Sequence, residues 1–383
     1  MLITMEAYDA MQNCIGKLDE FDSWRGKLPR ANGFTLLEKE SLRAQIFTYL
    51  LVRRKEVEGK DVNFEVDMAY LIWRVIRKAL LWDAKPENRH YFESKDPNFS
   101  QAEKEFVLSQ IDIFGEKAKP FIQHVFELAE KISCEEKMLY QVAKVVSNRI
   151  EFECTEKEFL PMESIETRIE IYDSWANVMA ERYFVRETYE LFLKISYGRH
   201  TTRWQGHKRL DDIGITGHML LTAILGYMIA LEEGYPSDVA VKAFYTGLLH
   251  DISEIWTDDI PSPCKDRMRM SDGKTLRDYA EEQEEMVLEE QFYPKLDEKV
   301  AKHFRENIIF GSNVSDEFHD LIKKADYFSA DCEIWWNIVL GCRMYRFKQI
   351  LIKSSELNRT PESTKLIKDW LEQISEIKFL RFI

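Results

Sequence analysis

Glycine and proline are scarce, at 15 Gly and 10 Pro in 383 residues. So few chain breakers exclude a Gly/Pro-rich repeat and argue against an all-β protein, whose many turns consume both. The six cysteines, Cys14, Cys134, Cys154, Cys264, Cys332 and Cys342, have no CxxC spacing. That excludes a zinc ribbon, and the count is too low for a disulfide scaffold; scattered thiols suit a reducing cytoplasm, the expected location. No uninterrupted apolar run of about 18 residues occurs, so neither a membrane span nor a membrane partner is expected. The first residues, MLITMEAYDAMQNCIGKLDEFDSW, lack a basic segment followed by an apolar one, the mark of a secretory signal. Positive charge is in deficit too: 53 Lys+Arg stand against 67 Asp+Glu, a net charge of −14. A nucleic-acid polymer needs a positive face and is not an expected partner. A single nucleotide remains compatible, since one arginine and a metal could hold it.

What is present is a chain that can bury a core. Hydrophobic residues make up 45% and charged residues 31%, which excludes disorder over most of the length. At roughly 150 residues per domain the chain is two domains, or one large helical body with an added half. Residues 37–56, 64–82 and 119–150 carry apolar side chains three and four apart with charges between, the helical period. Strand-like alternation is scarce, so the expected fold class is all-α. The charged stretch 151–170, with Pro161, is the best candidate boundary. It gives residues 1–180 as a helical N-terminal region of unassigned function and 181–383 as a second helical domain. There a long helix should end near Gly198, and GRHTTRWQGHKRLDDIGITG reads as a loop. Residues 217–234, apolar on nearly every side, should form a helix at the centre of a bundle. Ser237 is a plausible N-cap for the next helix, and further helices are expected at 275–292, 297–308, 315–340 and 362–376.

A gapless offset of 175 sets Gly59 under Gly234, Tyr70 under Tyr245, Asp83 under Asp258 and Pro86 under Pro261. This is a thin trace of a degenerate internal repeat. On that alignment His250 and Asp251 are answered by Val75 and Ile76, so the first half could not bind the same metal.

The chemistry concentrates in LLHDISEIWTDDIPSPCK, residues 248–265. His250 and Asp251 close an otherwise apolar helix, where such a pair is costly unless partners await it. His218 begins the apolar helix 32 residues earlier, and Asp326 interrupts an apolar run 75 residues later. Three helices can thus bring two imidazoles and two carboxylates to one point. That donor set suits Mn, Co, Fe, Ni or Zn, with open positions for water and substrate. The ordinary reading must be set beside it. A His-Asp dipeptide alone is weak evidence, and His319-Asp320 is a second one. His319 lies two helical turns from Asp326, about 10 Å, too far to share an ion, so that pair reads as helix surface. The 250–251 pair differs because Ser253, Glu254, Thr257, Asp258 and Asp259 cluster after it, closed by Pro261 and Pro263. Read alone, Trp204 is a hydrophobic anchor, Arg203 a surface cation, and Glu254 a hydrogen-bond partner of a metal ligand.

In context these residues resemble a family. His218, His250-Asp251 and Asp326 look like the H…HD…D signature of HD-domain phosphohydrolases. HDISEIWTDDIPSP is similar to the HD-x-SE-x-x-T-x-D-x-P-[ST]-P run of the bacterial 5′-deoxynucleotidases. Arg203-Trp204 also match an Arg-Trp pair at the same spacing before the first His, and the resemblance spans about residues 185–345. It implies that His218, His250, Asp251 and Asp326 ligate a divalent metal and that Glu254 handles a proton, with Asp251 also in the catalytic group. It further implies that Arg203 holds the phosphate, Asp259 the sugar hydroxyl, and Trp204 packs on the sugar. The expected activity is metal-dependent removal of the 5′-phosphate of (deoxy)ribonucleoside monophosphates. Alternatives are another HD phosphohydrolase, acting on cyclic nucleotides or nucleoside triphosphates, and a non-catalytic nucleotide sensor. Arg203, with no Lys/Arg-rich cluster beside it, favours the monophosphate. Two features depart from the family: Gly217 stands where Glu is usual, and some 180 residues precede the domain. Members commonly form homodimers, so the expected partner is a second copy or, within one chain, the N-terminal half acting as a pseudo-dimer mate.

Overall fold

The computed structural model describes residues 3–19, 34–81, 86–110, 116–156, 182–201, 213–258, 260, 262–309, 315–340, 345–356 and 359–376. The described residues are helical, with no strand among them. The N-terminal helices are α1 (Met5–Asp19), α2 (Leu36–Glu56), α3 (Phe64–Leu81), α4 (Pro86–Lys95), α5 (Phe99–Ser109), α6 (Lys119–Ala129) and α7 (Cys134–Glu156). Then come α8 (Arg186–Ser196), α9 (Ile215–Glu232), α10 (Ser237–Gly247), α11 (Glu254–Thr257), α12 (Ser262–Arg267) and α13 (Leu276–Val287). The chain ends in α14 (Glu298–His303), α15 (Asp316–Val339), α16 (Tyr345–Glu356) and α17 (Pro361–Glu376).

Local chemistry sets several starts. Thr35 and Glu38 form a capping box at α2: the Glu38 N–H donates to Thr35 Oγ1 (3.1 Å) and the Thr35 N–H to Glu38 Oε2 (3.0 Å). Thr275 and Asp278 do the same at α13, and the Phe318 N–H donates to Ser315 Oγ (3.4 Å) at α15. Ser237 departs from the expected N-cap role. The cap position is Pro236, and the Ser237 hydroxyl donates instead to Glu65 of α3. The helices expected at 275–292 and 297–308 begin as α-helix and finish in π-helical turns, Leu288–Phe292 and Phe304–Ile308. Helix α16, not foreseen in the sequence, follows α15. Of the expected boundary at 151–170, residues 151–156 belong to α7 and the rest, with Pro161, lies outside the described residues.

Helix α9 is the axis of the fold. Its apolar length would suffice to cross a bilayer, but its side chains are buried against protein. It packs on α2, α10 and α15, and the apolar core runs without interruption from Ile3 through α9 to Ile374. Polar ties join the two halves: Ser41 Oγ donates to Thr216 O (2.5 Å), Gln45 Nε2 to Leu248 O (3.2 Å), and Tyr8 OH to Glu232 (2.8 Å).

Two glycines adjust the contacts that hold the site. A Cβ on Gly247 would lie 2.8 Å from Ala223 Cα, so glycine is what lets the end of α10 touch the α9 backbone. A Cβ on Gly217 would meet Leu37 Cδ2 at 3.2 Å. The space that a glutamate there would need is filled by α2 of the N-terminal half.

Candidate metal centre

His218 sits one turn into α9, His250 and Asp251 in the turn that follows α10, and Asp326 midway along α15. These helices pack on one another, and the donor atoms of the four residues all lie within 4.8 Å of each other. His218 Nε2 is 3.1 Å from Asp326 Oδ1 and 3.7 Å from Asp251 Oδ2. His250 Nε2 is 3.0 Å from Asp251 Oδ2 and 3.9 Å from Asp326 Oδ1. Ligands about 2.1 Å from one ion are themselves roughly 3 to 4 Å apart, so the four atoms have the separations of a shared coordination sphere.

The hydrogen bonding fixes which ring nitrogen faces the centre. His250 Nδ1 donates to Gly247 O (2.8 Å), leaving Nε2 turned inward. That buried Nε2 has no partner in hydrogen-bonding geometry among the described residues; the nearby Asp251 oxygen lies off its axis. A buried ring nitrogen left without a hydrogen bond is costly, and a positive charge shared with the neighbouring carboxylates, a proton or a metal ion, satisfies it. His218 Nδ1 lies 2.9 Å from Glu333 Oε1 and 2.9 Å from Ser329 Oγ, an arrangement that presents Nε2 to the centre.

Charge points the same way. Burial disfavours the His250 imidazolium, yet Asp251 and Asp326 outweigh it and raise its pKa to about 10. Burial also works against the Asp251 carboxylate, but His250 holds it well below the usual carboxylate range. The two carboxylates therefore require a positive charge beside them, and a divalent ion supplies one. His218 is fully buried while the Asp251 side chain is 20% exposed, so the centre opens on the Asp251 side.

Glu254 follows the HD pair by one turn, its N–H donating to Asp251 O (3.1 Å). Its buried carboxylate is 3.4 Å from Lys265 Nζ, which also reaches Glu284 (3.5 Å). Burial raises the Glu284 pKa, Lys265 works against that, and Asp251 adds to it. Asp258 ends this turn at φ 59° and ψ 156°, a conformation almost reserved for glycine. His319 and Asp320 are both exposed on α15. Arg203, Trp204 and Asp259 lie outside the described residues.

Sequence reasoning missed Glu333, Ser329 and Lys265. Glu333 carried a readable signal: it is seven residues, two helical turns, after Asp326 and so shares its face.

A helical bundle with an HD pair, a second His and a second Asp converging on one point is the arrangement of the HD hydrolases. Residues 190–371 match the family model described as 5′-deoxynucleotidase YfbR-like. That stretch is similar to this family, and the match supports a hydrolase of the HD type acting on nucleotides. No curated protein and no solved structure matches the chain.

Proposed function

We propose that the chain is a metal-dependent phosphomonoesterase that removes the 5′-phosphate from (deoxy)ribonucleoside monophosphates. The observation that supports this most is the convergence of four donor atoms on a centre into which the buried, unpartnered His250 Nε2 projects. His218, His250, Asp251 and Asp326 would hold a divalent ion such as Mn, Co, Ni, Fe or Zn, with neutral imidazoles and anionic carboxylates as the donor set. When bound, the ion supplies Lewis acidity toward water and the phosphoryl oxygens. Everything else falls to the protein. Gly247 O and Glu333 keep each ring nitrogen in its orientation. Glu254, one turn beyond Asp251, accepts the proton of the attacking water and returns it to the departing sugar oxygen, with Asp251 beside it in the catalytic group. Lys265, 3.4 Å from Glu254, would help to hold that carboxylate in place. Arg203 would hold the phosphate with its planar two-donor fork, Asp259 the sugar hydroxyl, and Trp204 the sugar face.

Phosphate release from a panel of dNMPs and NMPs with Mn, Co, Ni, Zn and Mg tests the reading. The expected result is release of inorganic phosphate from monophosphates only with an added transition metal. Release of pyrophosphate from triphosphates, or opening of a cyclic nucleotide, without monophosphate turnover would replace this substrate assignment. Thermal stabilisation by nucleotide with no turnover would favour a sensor.

A further inference from the structure

The N-terminal half contains a cluster of buried charge that the reaction does not use. Arg43 of α2 donates to Glu40 and, through Nε, to Ser147 Oγ (3.3 Å) of α7. Lys78 of α3 also reaches Glu40 (2.5 Å), while Lys39 pairs with Glu151 (2.7 Å). Two further cations join them. Arg74 lies over the Tyr140 ring at 5.5 Å, and its buried Nε has no hydrogen-bond partner among the described residues. Lys144 has no carboxylate partner among the described residues, and burial together with Arg43, Arg74, Lys78 and Lys39 pushes its pKa down to about 7. Among the described residues, Lys39, Arg43, Arg74, Lys78 and the partly neutralised Lys144 thus gather around two carboxylates, Glu40 and Glu151, an excess of positive charge. Such an excess is costly in a protein interior unless an anion is present.

The place of this cluster is informative. Offset by 175, Arg43 corresponds to His218, and Ser41 Oγ bonds the carbonyl of its own counterpart Thr216, as residues astride a two-fold axis do. Offset by 182, α7 lies on α15: Ser147 matches Ser329, Glu151 matches Glu333, and Lys144 falls on Asp326. The change of offset by seven residues is two helical turns and keeps the same face inward. Val75 and Ile76, the counterparts of His250 and Asp251, are buried, but Arg74 and Lys78 on either side of them face the cluster. The Arg43–Ser147 bond thus repeats the His218–Ser329 bond at 3.3 against 2.9 Å. At the place where the C-terminal half gathers acids and imidazoles that could hold a cation, the N-terminal half gathers bases.

We propose that Lys39, Arg43, Arg74, Lys78 and Lys144 form a second binding site, one for a phosphate group, free or carried by a nucleotide. Arg43 is held by Glu40, Ser147 and Asn148, so the Arg74 guanidinium and the Lys144 ammonium offer the donors that phosphate accepts, and a dianion offsets most of the excess charge. Arg74, Lys144 and Asn148 are half-buried, so the cluster is reachable from solvent on their side.

The test is calorimetric titration of the full, metal-free chain carrying Arg203→Gln and His250→Ala, which silences the C-terminal handles for phosphate and metal. Inorganic phosphate and dAMP are the probes, with sodium chloride at matched ionic strength as the control. One phosphate should bind per chain, and Lys144→Gln or Arg74→Gln should weaken it by about tenfold or more. Lys144→Arg should retain binding, and without phosphate Lys144→Gln should melt no lower than its parent, because it removes an uncompensated charge. Tighter binding of dAMP than of phosphate would identify a nucleotide as the source, and equal binding would identify free phosphate; either sustains the site. No binding beyond the chloride control, or equal binding by parent, Lys144→Gln and Arg74→Gln, would overturn it.

Discussion

Two places in this molecule share a frame and differ in sign. At one, α9 and α15 bring His218, Asp326, Ser329 and Glu333 together with the HD pair. At the other, α2 and α7 bring together Arg43, Lys144, Ser147 and Glu151 beside Arg74 and Lys78. The serine and the glutamate keep their positions in both, and what changes is the charge of the side chains they support. Helix packing therefore decides where polar side chains converge. A handful of residues on that frame decides whether the place suits a cation or an anion.

The largest expected effect is at the acidic centre. Asp326→Asn removes one of two anionic donors, and phosphate release should fall to background while the circular dichroism of the helices is retained; turnover near wild type would break the comparison at its root. Next comes the supporting glutamate. Glu333→Gln keeps an acceptor for His218 Nδ1 but loses the charge, so Mn or Co affinity should drop about 10- to 100-fold in a metal titration. An unchanged affinity would reduce Glu333 to a packing residue.

The N-terminal half is not uniformly basic, and this gives a third measurement. Asp67 of α3 is fully buried, and burial, reinforced by Glu136 against Arg54, raises its pKa to about 8. The unfolded chain releases that proton near pH 4, at a pKa of about 3.9, while the folded chain keeps it to about pH 8. The stability it contributes is thus fully present below about pH 4 and is lost as pH rises to about 8. Denaturant unfolding at pH 5 and pH 8 should show a wild-type decline on the order of a few kcal/mol that Asp67→Asn largely abolishes. Equal declines would contradict the assignment. The smallest effect is expected at the contact between α9 and α10. Gly247→Ala pushes a methyl group against the Ala223 backbone and should cost about 1–3 kcal/mol in a urea melt, with weaker metal binding because the HD pair moves with it.

Much of this was legible in the sequence, for identifiable reasons. The apolar 217–234 segment reads as a central helix because no face of it suits water, and the HD pair stands out because an ionisable pair closes an apolar helix. Glu333 shares the face of Asp326, but its role depends on a ring 115 residues earlier in the chain, and the spacing alone does not say which neighbour the carboxylate will meet. The basic cluster was hidden for a related reason. Its members are spread over three helices of a chain whose net charge is −14. The repeat was faint at a single offset because a seven-residue change between its helices carries α7 and α15 out of that register. In the sequence, Gly217 stands where the resembled family usually has Glu. The packing shows Leu37 in that space and a different glutamate, Glu333, on His218.

The central claim is that the His/Asp centre holds a cation and that turnover depends on it. Equilibrium dialysis with Mn or Co and phosphate release from a dNMP, run side by side on wild type and His250→Ala, measure both at once. The account requires one ion per wild-type chain with metal-dependent release, and loss of both in the variant with helix content unchanged. Phosphate release persisting in metal-stripped His250→Ala would contradict it.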